Sequence, residues 1–381
     1  MKTLALTGII LAFAATAATS ATAKKKQKPD AKARQQVEVC FVLDTTGSMS
    51  GLIAGAKAKI WSIANDLTNA DPSPRLKIGL VGYRDRGDNY VTRKFPLTDD
   101  LDAVYENLMK FQAQGGGDSP ESVNQGLSEA VNDIKWSEKK DALKIIFLVG
   151  DCPPHMDYQD DVKYPETCKL AVKNDIIINS IQCGNNTETR TIWKQIAHLS
   201  EGSFAAIEQG GGMAAIATPV DSRIAELTRE INGTVIAFGN DKEQALAQSK
   251  ISLASSASPA ATAARQAYFS KNLGGKAISG REDLISEVAD GNVDLDEVQI
   301  EDLPEKYRKL SKSELAGAVK EQQAKRHELQ AEMSKLVTER NAWVKKAMEK
   351  RKAEKKDNGF DAQIRRAVKE QGAKKGIKYK S

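Results

Sequence analysis

Asp44, Thr46 and Ser48 stand at alternate positions of the run Asp44-Thr45-Thr46-Gly47-Ser48. One carboxylate with two hydroxyls is a hard oxygen set, suited to Mg²⁺, Mn²⁺ or Ca²⁺ and poorly suited to zinc. The run follows an apolar stretch over residues 37–43, which reads as a buried strand. After it, Leu52, Ile53, Ala56, Ile60, Ile63, Ala64 and Leu67 recur at the spacing of a helix's core-facing stripe. The three oxygen-bearing side chains therefore sit on a loop between strand end and helix start, where open α/β sheets place their ligands.

Two further segments bring carboxylates to similar places. Gly115-Gly116-Gly117-Asp118-Ser119-Pro120-Glu121 precedes another helical pattern (Val123, Leu127, Ala130, Val131, Ile134). The apolar run over residues 144–150 ends in Asp151-Cys152-Pro153-Pro154-His155. Singly, each segment has an ordinary structural explanation, since Asp and Ser cap helices and Gly-rich loops make turns. Jointly, in this order and at strand-to-helix junctions, they favour convergence on one ion. The three together resemble the von Willebrand factor type A family, over residues 36–235. Its metal-ion-dependent adhesion site combines D-x-[ST]-x-S, a Thr or Glu in a second loop and an Asp in a third.

That resemblance implies Asp44, Thr46, Ser48, Glu121 and Asp151 as the residues around the ion. Asp118 joins them as a residue that serves a neighbouring metal in the integrin-like version of the loop. The continuation Ser48-Met49-Ser50-Gly51 lacks the acidic pair that supports an adjacent inhibitory metal in integrins, so a second site there is not expected. In the family the open coordination position takes a carboxylate from a partner protein. Hydroxyl ligands coordinate without neutralising, which leaves the ion positive enough to attract that carboxylate. The implied function is a divalent-metal-dependent, adhesion-type protein-binding module rather than an enzyme.

Two other classes compete with it. One is a structural or scaffolding protein assembled through its helical tail. The other is a metal-assisted hydrolase using Asp151 and His155. Against catalysis, none of the three histidines (His155, His198, His327) lies in H-E-x-x-H, and no G-x-S-x-G elbow or phosphate-binding glycine loop follows a strand. The plain role of His155 is to order its own loop. Arg84 and Asp85 end the second strand at the same edge, and Arg86-Gly87-Asp88 reads as a strand-ending turn.

The N-terminus reads as an export signal: Lys2, an apolar core over residues 4–18, and the cleavage motif Ala21-Thr22-Ala23. A secreted or periplasmic location follows, with a disordered basic leader over residues 24–35 and no later segment long enough to span a membrane. The 381 residues carry a net charge of +5, unevenly spread. Residues 301–381 hold 23 Lys+Arg against 13 Asp+Glu, and residues 1–300 hold 33 against 38. An acidic metal-site domain thus precedes a basic tail, which suits an anionic surface or an acidic protein. Without interleaved aromatics, and with an export signal, nucleic acid is not an expected partner. Of the four cysteines, Cys40 lies mid-strand and reads as a buried thiol. Cys152, Cys168 and Cys183 are expected near the site end of the sheet, with Cys168–Cys183 the disulfide to look for.

To position the site, strands are expected near 37–43, 76–83, 91–97, 144–150, 176–182 and 203–207, with helices between them. This alternation predicts an α/β fold: a doubly wound, mostly parallel six-stranded sheet with helices on both faces. The strand at 91–97, reached by too short a loop for a crossover, is expected as an antiparallel edge. A mainly α-helical extension follows. It comprises an Ala/Ser-rich segment over residues 240–300, a long charged helix or helical hairpin over 301–348, and a basic, apolar-poor tail over 349–381, expected to be partly disordered. In the long helix Leu315, Val319, Leu329, Met333, Leu336 and Trp343 share a heptad seam broken by Gln322, Arg326 and Arg340. Arginines in the seam argue for a helix folded back on the domain, or a weak hairpin, over a strong coiled coil.

Overall fold

The computed structural model describes residues 34–380 apart from residues 118, 214, 355 and 356. The export signal, nearly all of the leader and Asp118 lie outside the described residues. Six strands form one sheet: β1 (Gln36–Asp44), β2 (Arg75–Tyr83), β3 (Thr92–Thr98), β4 (Leu143–Gly150), β5 (Ile176–Cys183) and β6 (Phe204–Ile207), in the order β3-β2-β1-β4-β5-β6. All neighbours run parallel except β2 and β3, so β3 is the antiparallel edge. Every residue of the central β1 is buried, as a strand covered on both faces requires. Register aligns Leu43 with Val149 and Asp44 with Tyr83. The C-terminal ends of β1, β2 and β4 therefore finish level with one another.

Side chains alternate between two cores. On one face Val39, Phe41, Leu43, Ile145 and Phe147 pack with the helices α1 (Ser50–Leu67), α2 (Leu101–Met109), α8 (Pro259–Asn272) and α11 (Phe360–Lys374). On the other, Cys40, Val42, Ile146 and Leu148 pack with α3 (Val123–Asn132), α4 (Tyr164–Lys173) and α5 (Thr187–Leu199). This division removes the disulfide expected between Cys168 and Cys183. Cys168 sits in the α3–α5 core, Cys183 points into the α1 core across the sheet, and all four cysteines are free thiols.

The tail also departs from expectation. Residues 360–374 form a docked helix rather than a disordered end. Phe360, Ile364, Ala367 and Val368 recur at helical spacing and enter the α1 core. Asn179 of β5 and Gln371 exchange two amide hydrogen bonds, at 2.7 and 3.1 Å. Lys59–Asp361 and Arg365–Asp66 pair at 2.9 Å, fixing the helix to α1. The stripe is present in the sequence, but lysine-rich flanks obscure it.

The long helix α10 (Lys312–Ala353) folds back on α6 (Asp221–Asn232), α8 and α9 (Leu284–Ala289). Its arginines act as anchors within the seam. Arg326 donates to Asp283 and to Thr234 Oγ1, and Arg340 Nε donates to Asp221 at 3.1 Å. The buried stripe ends at Val337 and Arg340, and Trp343 is half exposed instead of seated in the seam. Between α6 and α8 lies α7 (Asp241–Ser256), its N-terminus closed by a capping box of Asn240 and Glu243.

Candidate metal centre

Asp44 is the last residue of β1 and Asp151 directly follows β4, its neighbour in the sheet, so the strand register sets the two carboxylates side by side. Room for them comes from Gly150: a Cβ there would lie 2.2 Å from the Tyr83 hydroxyl and 3.0 Å from Asp44 Cβ. Thr46 and Ser48 hang on the turn beyond β1. Asp44 Oδ1 accepts from the Thr46 backbone N–H at 2.8 Å and from its hydroxyl at 2.6 Å, and the Thr46 and Ser48 hydroxyls lie 3.2 Å apart. Neither hydroxyl caps the short 3-10 turn Gly47–Met49 or α1. Ser122, which precedes α3 next to Glu121, makes no side-chain cap either. Helix capping thus leaves these groups unexplained.

The glycine loop closes over the turn through Gly47 N–H to Gly115 O at 3.1 Å and Gln114 N–H to Thr45 O at 3.1 Å. Gly116 has φ of +69°, and a Cβ there would come within 3.0 Å of Thr46 Cβ and 3.1 Å of Glu121 Oε1. Glu121 itself is held by backbone bonds to the loop after β4, from its N–H to Pro153 O and from His155 N–H to its own carbonyl, each 3.0 Å. The structure therefore brings together Asp44, Thr46, Ser48, Glu121 and Asp151.

Three carboxylate oxygens here, Asp44 Oδ2, Glu121 Oε2 and Asp151 Oδ1, are buried without a hydrogen-bond partner. Burial, followed by the charge of Asp151, raises the Asp44 carboxyl from 3.8 to about 7, against the lowering effect of Thr46. Burial and then Asp44, Asp85, Asp88 and Asp151 push Glu121 up to about 9. Burial and Asp151 raise the Cys152 thiol to about 12, so it stays protonated. Among the described residues no three His, Cys, Asp or Glu side chains make a metal cage by themselves. The set is mixed carboxylate and hydroxyl, which fits a hard divalent ion.

Sequence reasoning missed Gln209, on the loop after β6. Its amide donates to Asp151 Oδ2 at 2.6 Å and reaches Ser48 O at 3.4 Å. Only its position after a strand end hinted at this. Arg84 braces the loops through Thr45 O and Gln112 O and stacks on Tyr90, while Asp85 accepts from Ser122 Oγ at 2.9 Å and from the Tyr158 hydroxyl. Asp88 accepts from the Gly116 N–H at 3.0 Å, so the Arg-Gly-Asp tripeptide supports the glycine loop. His155 stacks on Tyr158 at 4.0 Å, with Nδ1 2.8 Å from Asp157 and Nε2 3.3 Å from Asp85.

Residues 38–218 match the family model described as von Willebrand factor A domain. Two curated relatives align over parts of their length. An ariadne-like RING finger protein of Acanthamoeba polyphaga mimivirus is 23% identical over 158 residues, 41% of this chain and 15% of that protein. N-acetyltaurine hydrolase of Bos taurus is 32% identical over 90 residues, 23% of this chain and 24% of that protein. The chain thus spans less than a quarter of either. Among solved structures, BatB from Bacteroides thetaiotaomicron is 13% identical, covering 58% of this chain and all of that one, with a TM-score of 0.35. Proximal thread matrix protein 1 of the mussel byssus, solved with a zinc-occupied MIDAS motif, is 18% identical over 46% of this chain and 43% of its own, with a TM-score of 0.37. The strands β1 to β6, in the doubly wound order, lie within or at the edge of the residues that match the von Willebrand factor A domain model.

Proposed function

We propose that this edge of the sheet holds a divalent cation of the Mg²⁺ class, Mn²⁺ and Ca²⁺ included, and captures an Asp or Glu carboxylate of a partner protein. The observation that carries this reading is the trio of buried, unpartnered oxygens on Asp44, Glu121 and Asp151. Uncompensated buried carboxylates are costly, and a divalent cation would offset them. Asp44, Thr46 and Ser48 would hold the ion, with Glu121 and Asp151 beside it and Asp118 a further candidate from the sequence. When bound, the ion supplies a positive centre that an incoming carboxylate oxygen can enter.

The residues around it do the positioning. Thr46 and Ser48 offer oxygen without adding negative charge, and Gln209 holds one oxygen of Asp151 so that the other faces the cluster. Binding is favoured over turnover because the candidate general base, His155, is buried. Export to a secreted or periplasmic location, read from residues 1–23, belongs to the same proposal.

Isothermal titration with Mg²⁺, Mn²⁺ and Ca²⁺ tests it, run on the wild type and on Asp44→Ala. One-site binding lost in a variant with an unchanged circular dichroism spectrum is the expected result. It would be followed by capture of partners in Mg²⁺ but not in EDTA. Absence of binding by every ion, or gross unfolding of Asp44→Ala, counts against the proposal.

A further inference from the structure

The seam of α10 outlasts the body it packs on. Met333, Val337 and Arg340 are buried, and no side chain after Arg340 in this helix is. At 1.5 Å per residue, residues 341–353 continue for about 20 Å. The seam's 4-3 spacing nevertheless continues through Val344, Ala347 and Arg351, all half-buried. With Trp343 and Met348 these residues form one contiguous arc of the helix surface. Trp343 is 50% exposed, while Trp61 and Trp193 are fully buried. Tryptophan, with an apolar body and a polar N–H, is enriched at interfaces and at membrane surfaces.

Charge says what kind of surface fits. Residues 341–354 carry Lys345, Lys346, Lys350, Arg351 and Lys352 against Glu349 and Glu354. The Lys350–Glu354 contact is loose, at 4.0 Å, with Lys350 79% exposed. Four exposed lysines, Lys345, Lys346, Lys350 and Lys352, beside a short arc that contains an exposed tryptophan match the interface of an anionic bilayer. A second copy of this helix would set lysine against lysine. An acidic helix would meet only Trp, Val, Ala and Met within about two turns, little area for a stable pair. No described helix is long and apolar enough to cross a membrane, so the contact is peripheral.

We propose that residues 341–353 of α10 dock on an anionic phospholipid surface, with the exposed Trp343 entering the headgroup boundary and Lys345, Lys346, Lys350 and Lys352 facing lipid phosphates. The full chain would be mixed with phosphatidylcholine vesicles with and without phosphatidylglycerol. Sedimentation would be read alongside tryptophan emission. Expected is co-sedimentation with the anionic vesicles only, weakened by salt, with a blue shift that Trp343→Phe removes. Reversing two cations, in Lys345→Glu with Lys350→Glu, should weaken partition by more than ~10-fold, each cation near such a surface being worth roughly one kcal/mol. Both lysines lie outside the packed part of α10, so the variant should fold. Failure to sediment overturns the proposal. So does sedimentation that leaves Trp343 emission and the charge-reversed variant unaffected, or binding of an acidic amphipathic peptide without binding of vesicles.

Discussion

Replacing Glu121 with glutamine should stabilise the metal-free protein while weakening its response to metal, and the size of the gain should depend on pH. Glu121 is 2% exposed, with one oxygen unpartnered. Burial and neighbouring carboxylates raise its carboxyl from 4.5 to about 9. Between those two values the folded chain binds a proton that the unfolded chain releases, so stability falls as pH rises through the window. At pH 4.5 the cost is near zero. By about pH 7.5 the window has been crossed for about three pH units, or on the order of 4 kcal/mol at 1.36 per unit. Water entry and loop relaxation lower this to ~2–4 kcal/mol. Glutamine keeps the shape and does not titrate. Glu121→Gln in EDTA should therefore gain that amount near pH 7.5, on the order of 5–10 °C in Tm, and little near pH 4.5. Its further rise in Tm on adding Mn²⁺ should shrink. Thermal melts followed by circular dichroism at both pH values, with EDTA or Mn²⁺, give all four numbers. Destabilisation at both pH values, or an equal gain at both, would refute the argument from crowded carboxylates.

Two further perturbations address the helical extension. Arg326→Ala leaves Asp283 buried without its cation and should cost about 3–5 kcal/mol in urea denaturation, whereas Arg326→Met combined with Asp283→Leu should recover most of the loss; equal losses in both would contradict an anchoring role. Phe360→Ala empties a site 1% exposed and 6.1 Å from the Phe41 ring. It should cost about 3–5 kcal/mol and abolish amide-exchange protection across α11, and retained protection would show that Phe360 does not hold the helix.

Much of the fold was legible because a buried parallel strand must be apolar throughout. The runs at 37–43, 144–150 and 176–182 offered no competing period, and the short loop before residue 92 left β3 only an antiparallel partner. What failed, failed through charge and through the third dimension. The stripe of Phe360, Ile364, Ala367 and Val368 is interleaved with Asp361, Arg365 and Arg366 and flanked on both sides by lysine-rich segments, which lower its apolar signal. Trp343 fits a heptad on paper, but burial along α10 stops at Arg340, whose partner Asp221 lies in a distant segment. The sequence sets Cys168 and Cys183 near one end of the sheet, yet nothing local in it says that the two faces hold them apart.

The candidate site was legible in its oxygens and illegible in what surrounds them. Elsewhere in the described chain, buried carboxylates meet cations: Asp102 meets Arg265, Asp221 meets Arg340, Asp283 meets Arg326 and Glu287 meets Lys276. Glu38 is satisfied instead by the Gln36 amide and the Ser137 N–H. Pairs such as Asp102 with Arg265 are 163 residues apart, so no local pattern foretells them. At the ends of β1 and β4 the rule breaks. Asp44 and Glu121 are as buried as the others, but the nearby guanidinium of Arg84 is taken up by the carbonyls of Thr45 and Gln112. Isolated buried charge normally disappears by pairing or by keeping its proton, and here the fold leaves only the proton. A cation from solution is the remaining counter-charge that would let these carboxylates ionise in place, and the hydroxyls of Thr46 and Ser48 already stand beside them.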